Sequence, residues 1–467
     1  MEEQLCLRFN VCGPGKEWQI RVKRGKKIAV GILSAAVVVL LFAVLQRLVQ
    51  PKYADDILEG NFTAEYYQET TKHDVLMIGD CEVYENFDPI YLWKNYGITS
   101  YIRGNAQQLT WQSYYMLEDT LKYEKPKLVV YNVQALTHGE PQKEEYNRMT
   151  LDGMKWSKTK WNAINASMCK GENMLDYIFP ILRYHSRITS LSRSDLTYFA
   201  SARKVTHNGY YMRIDVLPAS ESDVADPTWL LGKQNSTKNG AGEDISGEEE
   251  DGSADDDVYD PWDDIPEDDV YDPWDDIPED DVYDPWDDIP EDDTEETDSS
   301  DPWDAVDEQE AGTTEKEDDS ADGGVVFGKY PMQYLDKMTA LCKRNNIQLV
   351  LIKAPSLAPQ WYDSEDAQVV EYAKKNKLPY INFYELLKET GIDYETDTYD
   401  GGLHMNLSGA EKLSKYLGNV LVKDYGIKDH RGDKTLAKVY DEKCRIHDNM
   451  IRAQQKELDR YGEIRSY

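Results

Sequence analysis

Apolar and polar positions along the chain follow two alternating rhythms. Residues 75–78, 128–131 and 349–352 are unbroken apolar runs flanked by polar residues or glycine. Runs of this length predict strands buried on both faces, as in a parallel sheet. Residues 97–102, ending at Gly104, and residues 379–382 predict two more strands. Between them the apolar spacing becomes helical, over 89–96, 107–123, 332–344, 367–375 and 408–424. In the second of these, Leu109, Tyr114, Leu117 and Leu121 share a face, and Ser408 is placed to cap the last. This βαβαβ rhythm predicts an α/β domain with a parallel sheet and flanking helices. Residues 148–215 are less regular and rich in Trp, Tyr and Arg, which predicts a helical insertion over the sheet edge or an ordinary aromatic helix pair. The charged stretch 436–460 predicts a surface helix.

One apolar run is of another kind. Residues 28–45 carry no charge and are about long enough to cross a bilayer. Arg21, Lys23, Arg24, Lys26 and Lys27 precede the run, and Arg47 and Lys52 follow it. The denser positive side predicts a cytoplasmic tail, with everything after Gln50 outside. A cleaved signal peptide and a buried core helix are the alternatives. The basic flank and the absence of a small-x-small cleavage site favour an uncleaved anchor.

Charge alters the picture in one place only. The chain of 467 residues has a formal net charge of −36, but residues 241–320 hold 39 of its 88 acidic residues and a single lysine. Elsewhere 49 acids meet 51 bases, so no nucleic-acid surface is implied. Within the acidic stretch a twelve-residue unit starting at Asp257 recurs at Asp269 and Asp281, with an echo at Asp301. So short a period, with two prolines per unit, cannot bury a core and predicts a disordered spacer. Weak cation binding with Trp262, Trp274 and Trp286 as partner anchors is the other reading, and no calcium-loop spacing supports it. The six cysteines show neither metal-ligand spacing nor a disulfide framework, and no cofactor is implied. The organisation expected is therefore a tail (1–27), an anchor (28–49), a first domain part with helical insertion (50–217), an acidic linker (218–325), a second domain part (326–427) and a charged terminal helix (428–467).

Candidate chemistry lies at two turns. Gly79-Asp80 ends the first strand, and Cys81 stands where the chain turns into the next element, a position that suits a nucleophile and equally an inert packed thiol. The loop from Asp397 through Asp400 to His404 precedes the last helix. A His beside a carboxylate supplies a general base with a fixed tautomer, as acyl transfer needs.

Gly79-Asp80-Cys81, Gly104 within the segment 101–108, and Asp400 with His404 together resemble the blocks of the SGNH (GDSL-like) hydrolase superfamily. The resemblance covers about 66–133 and 326–421. It is nearest the membrane-anchored branch of Gram-positive bacteria, related to teichoic-acid D-alanyl transfer and alginate O-acetyltransferase-like proteins. It implies a flavodoxin-like α/β sandwich and an acyltransferase or esterase acting on a cell-envelope polysaccharide or teichoic acid, with an integral-membrane acyl donor as a possible partner. It further implies Cys81 as nucleophile, His404 as base, Asp400 as its orienting carboxylate, and the Cys81 and Gly104 amides as oxyanion donors. The chain departs from the family at three points. Cys81 replaces serine, three residues rather than two separate Asp400 from His404 (which leaves Asp397 as a competing partner), and no Gly-x-Asn-Asp block is present. Asn105 or Asn132 then supplies the side-chain oxyanion donor, with Asn105 preferred. Trp156, Arg183 and Tyr184 in the insertion are candidate sugar or phosphate contacts. An inactive SGNH-fold scaffold of the cell envelope is the alternative function.

Overall fold

The computed structural model describes residues 16–53, 57–141, 143–219 and 323–465. The acidic repeats, Trp262, Trp274, Trp286, Cys6 and Cys12 lie outside the described residues. The apolar runs form five parallel strands: β1 (Val75–Gly79), β2 (Ser100–Gly104), β3 (Leu128–Asn132), β4 (Gln348–Lys353) and β5 (Tyr380–Asn382). Their order is β2-β1-β3-β4-β5. The main helices are α1 (Lys16–Val49), α2 (Cys81–Tyr84), α3 (Pro89–Tyr96), α4 (Thr110–Thr120), α5 (Lys329–Arg344), α6 (Asp363–Asn376), α7 (Leu407–Lys423) and α8 (Lys434–Tyr461).

Alternation along the strands divides the core in two. Val75, Met77, Val130, Val350 and Ile352 face a cluster completed by Leu92 of α3 and by Leu413 and Leu417 of α7. Leu76, Ile78, Val129, Tyr131, Leu349 and Leu351 face another, built with Leu117 of α4, Leu335 and Met338 of α5 and Val369 of α6. Both faces are covered, which is why the strands read as continuous apolar runs.

The boundaries differ from the sequence pattern for local reasons. β2 starts at Ser100, because Gly97 closes α3 in the left-handed conformation (φ 66°). Ser408 does not cap α7; Asn406 does, its side chain accepting from the Gly409 N–H at 3.2 Å. The charged terminal helix α8 lies against the domain on one face. Tyr440 stacks on Trp93 with centroids 4.0 Å apart, and His447 Nε2 lies 3.1 Å from Asp88 Oδ2.

In α1, residues Lys26–Val49 are long and apolar enough to cross a membrane, with a mean hydropathy of 3.0 and no burial against the domain over the most apolar stretch. Residues 144–197 form a run of short helices, the longest being Lys158–Ser167. The stretch 148–215, expected to be helical, is so only as far as Thr197, and part of it packs against the end of α1.

Candidate active site

The order of strands reverses across β1, with β2 on one side and β3 on the other, so the carboxyl ends of β1 and β3 flank a crevice where α/β sheets hold their ligands. Cys81 lies at the end of β1, on the first residue of α2. The local sequence imposes this turn. Asp80 is extended and its carboxylate accepts from the Glu82 N–H at 3.2 Å, which caps α2. Gly79 must lack a side chain, since a Cβ there would lie 2.4 Å from Val83. Gly104 pairs with Gly79 in the β1–β2 register, and a Cβ on it would come within 3.3 Å of the Gly79 and Asp80 carbonyls and of Tyr84. As the first residue of its helix, Cys81 has an N–H without an intrahelical acceptor.

His404 comes from the loop before α7, and its imidazole is near enough to Cys81 for each to influence the other's charge. The imidazole is fixed on its other side: Nδ1 lies 2.6 Å from Asp400 Oδ2, and the His404 N–H donates to Asp400 Oδ1 at 2.8 Å. This bidentate grip leaves Nε2 for the thiol and makes Asp400 the partner of His404. Asp397 is fully buried and otherwise engaged. It accepts from Ser408 Oγ at 2.7 Å and from the Asp393 N–H at 2.7 Å, and it pairs with Lys412. Asp397 therefore stakes down the loop. Asn86 holds the loop from the nucleophile side, its Oδ1 accepting from the Met405 N–H at 2.8 Å.

Sequence reasoning passed over the remaining wall of the site. Glu85, four residues after Cys81, places Oε2 3.8 Å from His404 Nδ1 and accepts from the Tyr399 hydroxyl. The Tyr399 ring stacks over the imidazole with centroids 6.2 Å apart, and the Arg213 guanidinium lies 4.8 Å from the centre of the Tyr399 ring. Glu59 adds a third carboxyl near His404. The helical spacing i, i+4 from Cys81 was the available signal for Glu85; nothing local pointed to Tyr399 or Glu59.

Beneath the turn lies a buried polar network. Asn132, at the end of β3, donates to Asp80 Oδ1 at 3.2 Å and to Glu82 Oε2 at 2.9 Å. Lys353, at the end of β4, gives its ammonium to both Glu82 oxygens at 2.8 Å and to the Ala354 carbonyl at 2.8 Å.

These surroundings set the charges. Cys81 keeps some exposed surface, yet burial of its thiol pushes it up to about 11 against the opposing pull of His404. Burial alone would lower His404, but Glu85, Cys81 in its thiolate form and the bond from Asp400 outweigh it and raise it well above the ordinary imidazole value. Burial also pushes Glu85 and Asp80 up to about 7, in Asp80 with help from Glu82. Burial thus favours the protonated form of Cys81, while the carboxyl groups around His404 favour its charged form.

Two expectations are corrected. Asn105 cannot be the side-chain oxyanion donor, because its Nδ2 donates to the Glu59 carbonyl at 3.1 Å and to the Met149 carbonyl at 3.2 Å. Asn132 is likewise engaged, as above. The insertion residues Arg183 and Tyr184 are internal supports. Arg183 Nε pairs with Glu144 Oε1 at 3.0 Å, and the buried Tyr184 places its hydroxyl 3.3 Å from Asp152 Oδ2. Trp156 is exposed and lies against the Lys160 ammonium, 4.7 Å from ring centre to nitrogen.

A cavity of about 780 Å³ lined by Lys125, Lys127, Lys343 and Lys377 opens at the amino ends of β3 and β4, the opposite edge of the sheet from Cys81. Among the described residues no cluster of His, Cys, Asp and Glu is arranged to hold a metal ion. No known protein family, curated protein or solved structure matches the chain.

Proposed function

We propose that the chain is a membrane-anchored, extracytoplasmic SGNH-like acyltransferase or esterase of the cell envelope, working through Cys81, His404 and Asp400. The observation that carries this reading is the grip on His404: its Nδ1 is held at 2.6 Å by Asp400, with the ring beside Cys81 at the carboxyl end of β1. The strand order 2-1-3-4-5 is the flavodoxin-like order, and it supports the sandwich that the three sequence blocks imply. The apolar stretch of α1 and its basic flank support the anchor, with the domain outside.

In this mechanism His404 Nε2 takes the thiol proton as Cys81 Sγ attacks an ester carbonyl. A C–S bond forms, the ester C–O bond breaks, and the proton passes to the departing alkoxide. A glycan hydroxyl or water then attacks the thioester, transferring its proton to His404, and the thiol is restored. The amides of Cys81 and Gly104 take the oxyanion role, without an asparagine side chain. His404 must lose its resting proton before it can act, so activity rises toward alkaline pH.

The raised thiol favours a second reading, a retained fold without catalysis that serves as an envelope scaffold. Intact mass of the purified protein after exposure to a chromogenic acetyl ester separates the two. A gain of one acetyl group in wild type that is absent in Cys81→Ala and reduced in His404→Ala supports catalysis. Identical behaviour of wild type and Cys81→Ala overturns it in favour of the scaffold.

A further inference from the structure

We propose that the segment Met174–Thr197 is a collar that seats the domain on the membrane, its apolar side chains entering the boundary between lipid headgroups and acyl chains where α1 leaves the bilayer. The inference rests on the reading of α1 as a membrane span and goes beyond it, because it assigns lipid contact to a different part of the chain.

The collar is fastened to the end of α1 by specific bonds. The Ile181 N–H donates to Gln46 Oε1 at 2.7 Å and Arg187 donates to the Val49 carbonyl at 2.6 Å, while just beyond the collar Arg47 Nε donates to the Phe199 carbonyl at 2.8 Å. Arg187 is itself held by Asp195 at 3.0 Å, beside Lys52. The Phe179 ring lies 6.1 Å from that of Phe42. At about 1.5 Å per residue the apolar run 28–45 spans roughly 27 Å, close to the hydrocarbon thickness of a bilayer. Phe42 then sits about 4–5 Å inside the end of that run, which brings Phe179 to the acyl-chain boundary.

The collar's outward side chains have the chemistry of that zone. Leu175, Phe179, Leu182, Ile188, Leu191 and Leu196 are exposed, Leu196 by as much as 68 %. So many large apolar groups within a short segment are out of place against water. Arg193 is exposed among them, as are the cations of segments that lie in the interface plane. A bilayer is the occupant because the spanning helix emerges from this same patch. The collar also bears on the candidate site. Glu59, beside His404, is ten residues beyond Val49, so the site stands within roughly 35 Å of the membrane exit.

The test uses the full chain in vesicles of phosphatidylcholine and phosphatidylglycerol doped with a phosphatidylcholine whose acyl chain carries a diazirine near its carboxyl end. After photolysis, tryptic peptides 28–47 and 171–183 are searched for lipid adducts. Adducts on both peptides support the collar. Adducts on 28–47 alone overturn it, leave the anchor standing, and assign the face to a protein partner or a second copy. Adducts on neither overturn the anchor and the collar together. In the double variant Leu182→Glu, Leu196→Glu, adducts on 171–183 are lost while those on 28–47 persist. Both positions are exposed, and an unchanged near-ultraviolet circular dichroism spectrum checks the fold.

Discussion

Replacing Lys353 with methionine isolates the network under the catalytic turn. The Lys353 and Glu82 side chains are 0 % and 3 % exposed, and all three ammonium protons have acceptors, two on Glu82 and one on Ala354. Methionine fills most of the space but leaves Glu82 as an unpaired buried carboxylate next to Asp80. Removing one partner of a buried ion pair costs about 3–5 kcal/mol. At about 2–4 °C per kcal/mol for a large domain, the melting temperature of Lys353→Met falls by roughly 6–20 °C at pH 8. Adding Glu82→Gln removes the stranded charge, so the double variant recovers most of the loss.

The pH dependence carries a sign. Asp80 is raised to about 7 in the fold, well above its ordinary value. Its protonated form therefore stabilises the protein at low pH, and that stability is lost as pH rises from about 4 through 7. Lys353 is one of the influences that lower Asp80, so without it the carboxyl binds its proton more tightly and the deficit of Lys353→Met is smaller at pH 5 than at pH 8. Thermal melts of the detergent-solubilised chain at both pH values measure this. A deficit below about 1 kcal/mol at pH 8, or one that grows on acidification, refutes the reasoning.

Three further outcomes are expected. With the thiol at about 11 rather than 9, Cys81 is alkylated by iodoacetamide at neutral pH about a hundredfold more slowly than an unperturbed cysteine. His404→Ala slows it further, and a fast reaction that ignores His404 contradicts the assigned contact. Glu85→Gln removes the strongest influence holding the proton on His404, so the imidazole titration followed by NMR moves to lower pH; no movement would detach Glu85 from the site. Asn105→Ala removes the buried bonds to the Glu59 and Met149 carbonyls and costs about 1–3 kcal/mol in a urea melt, whereas an oxyanion donor would lose activity at unchanged stability.

The sequence disclosed what short-range pattern controls. β1, β3 and β4 were legible because strands covered on both faces leave unbroken apolar runs, and His404 with Asp400 was legible because four residues of one loop bring them together. Partners supplied across long separations were not. Glu59 is fixed near His404 through Asn105, 46 residues away, and the collar finds α1 across some 135 residues. Lys353 stood in view as a lysine closing an apolar strand, which requires a buried anion, but nothing local named Glu82. The gap matters most for charge. The sequence spells a Cys-His-Asp triad, while the folded chain adds Glu85, which raises His404, and places Glu59 nearby. Glu85, like Asp80, is raised to about 7, close to giving up its charge at neutral pH. Glu85→Gln, neutral from the start, holds the His404 proton less tightly and shifts the alkaline rise of activity to lower pH.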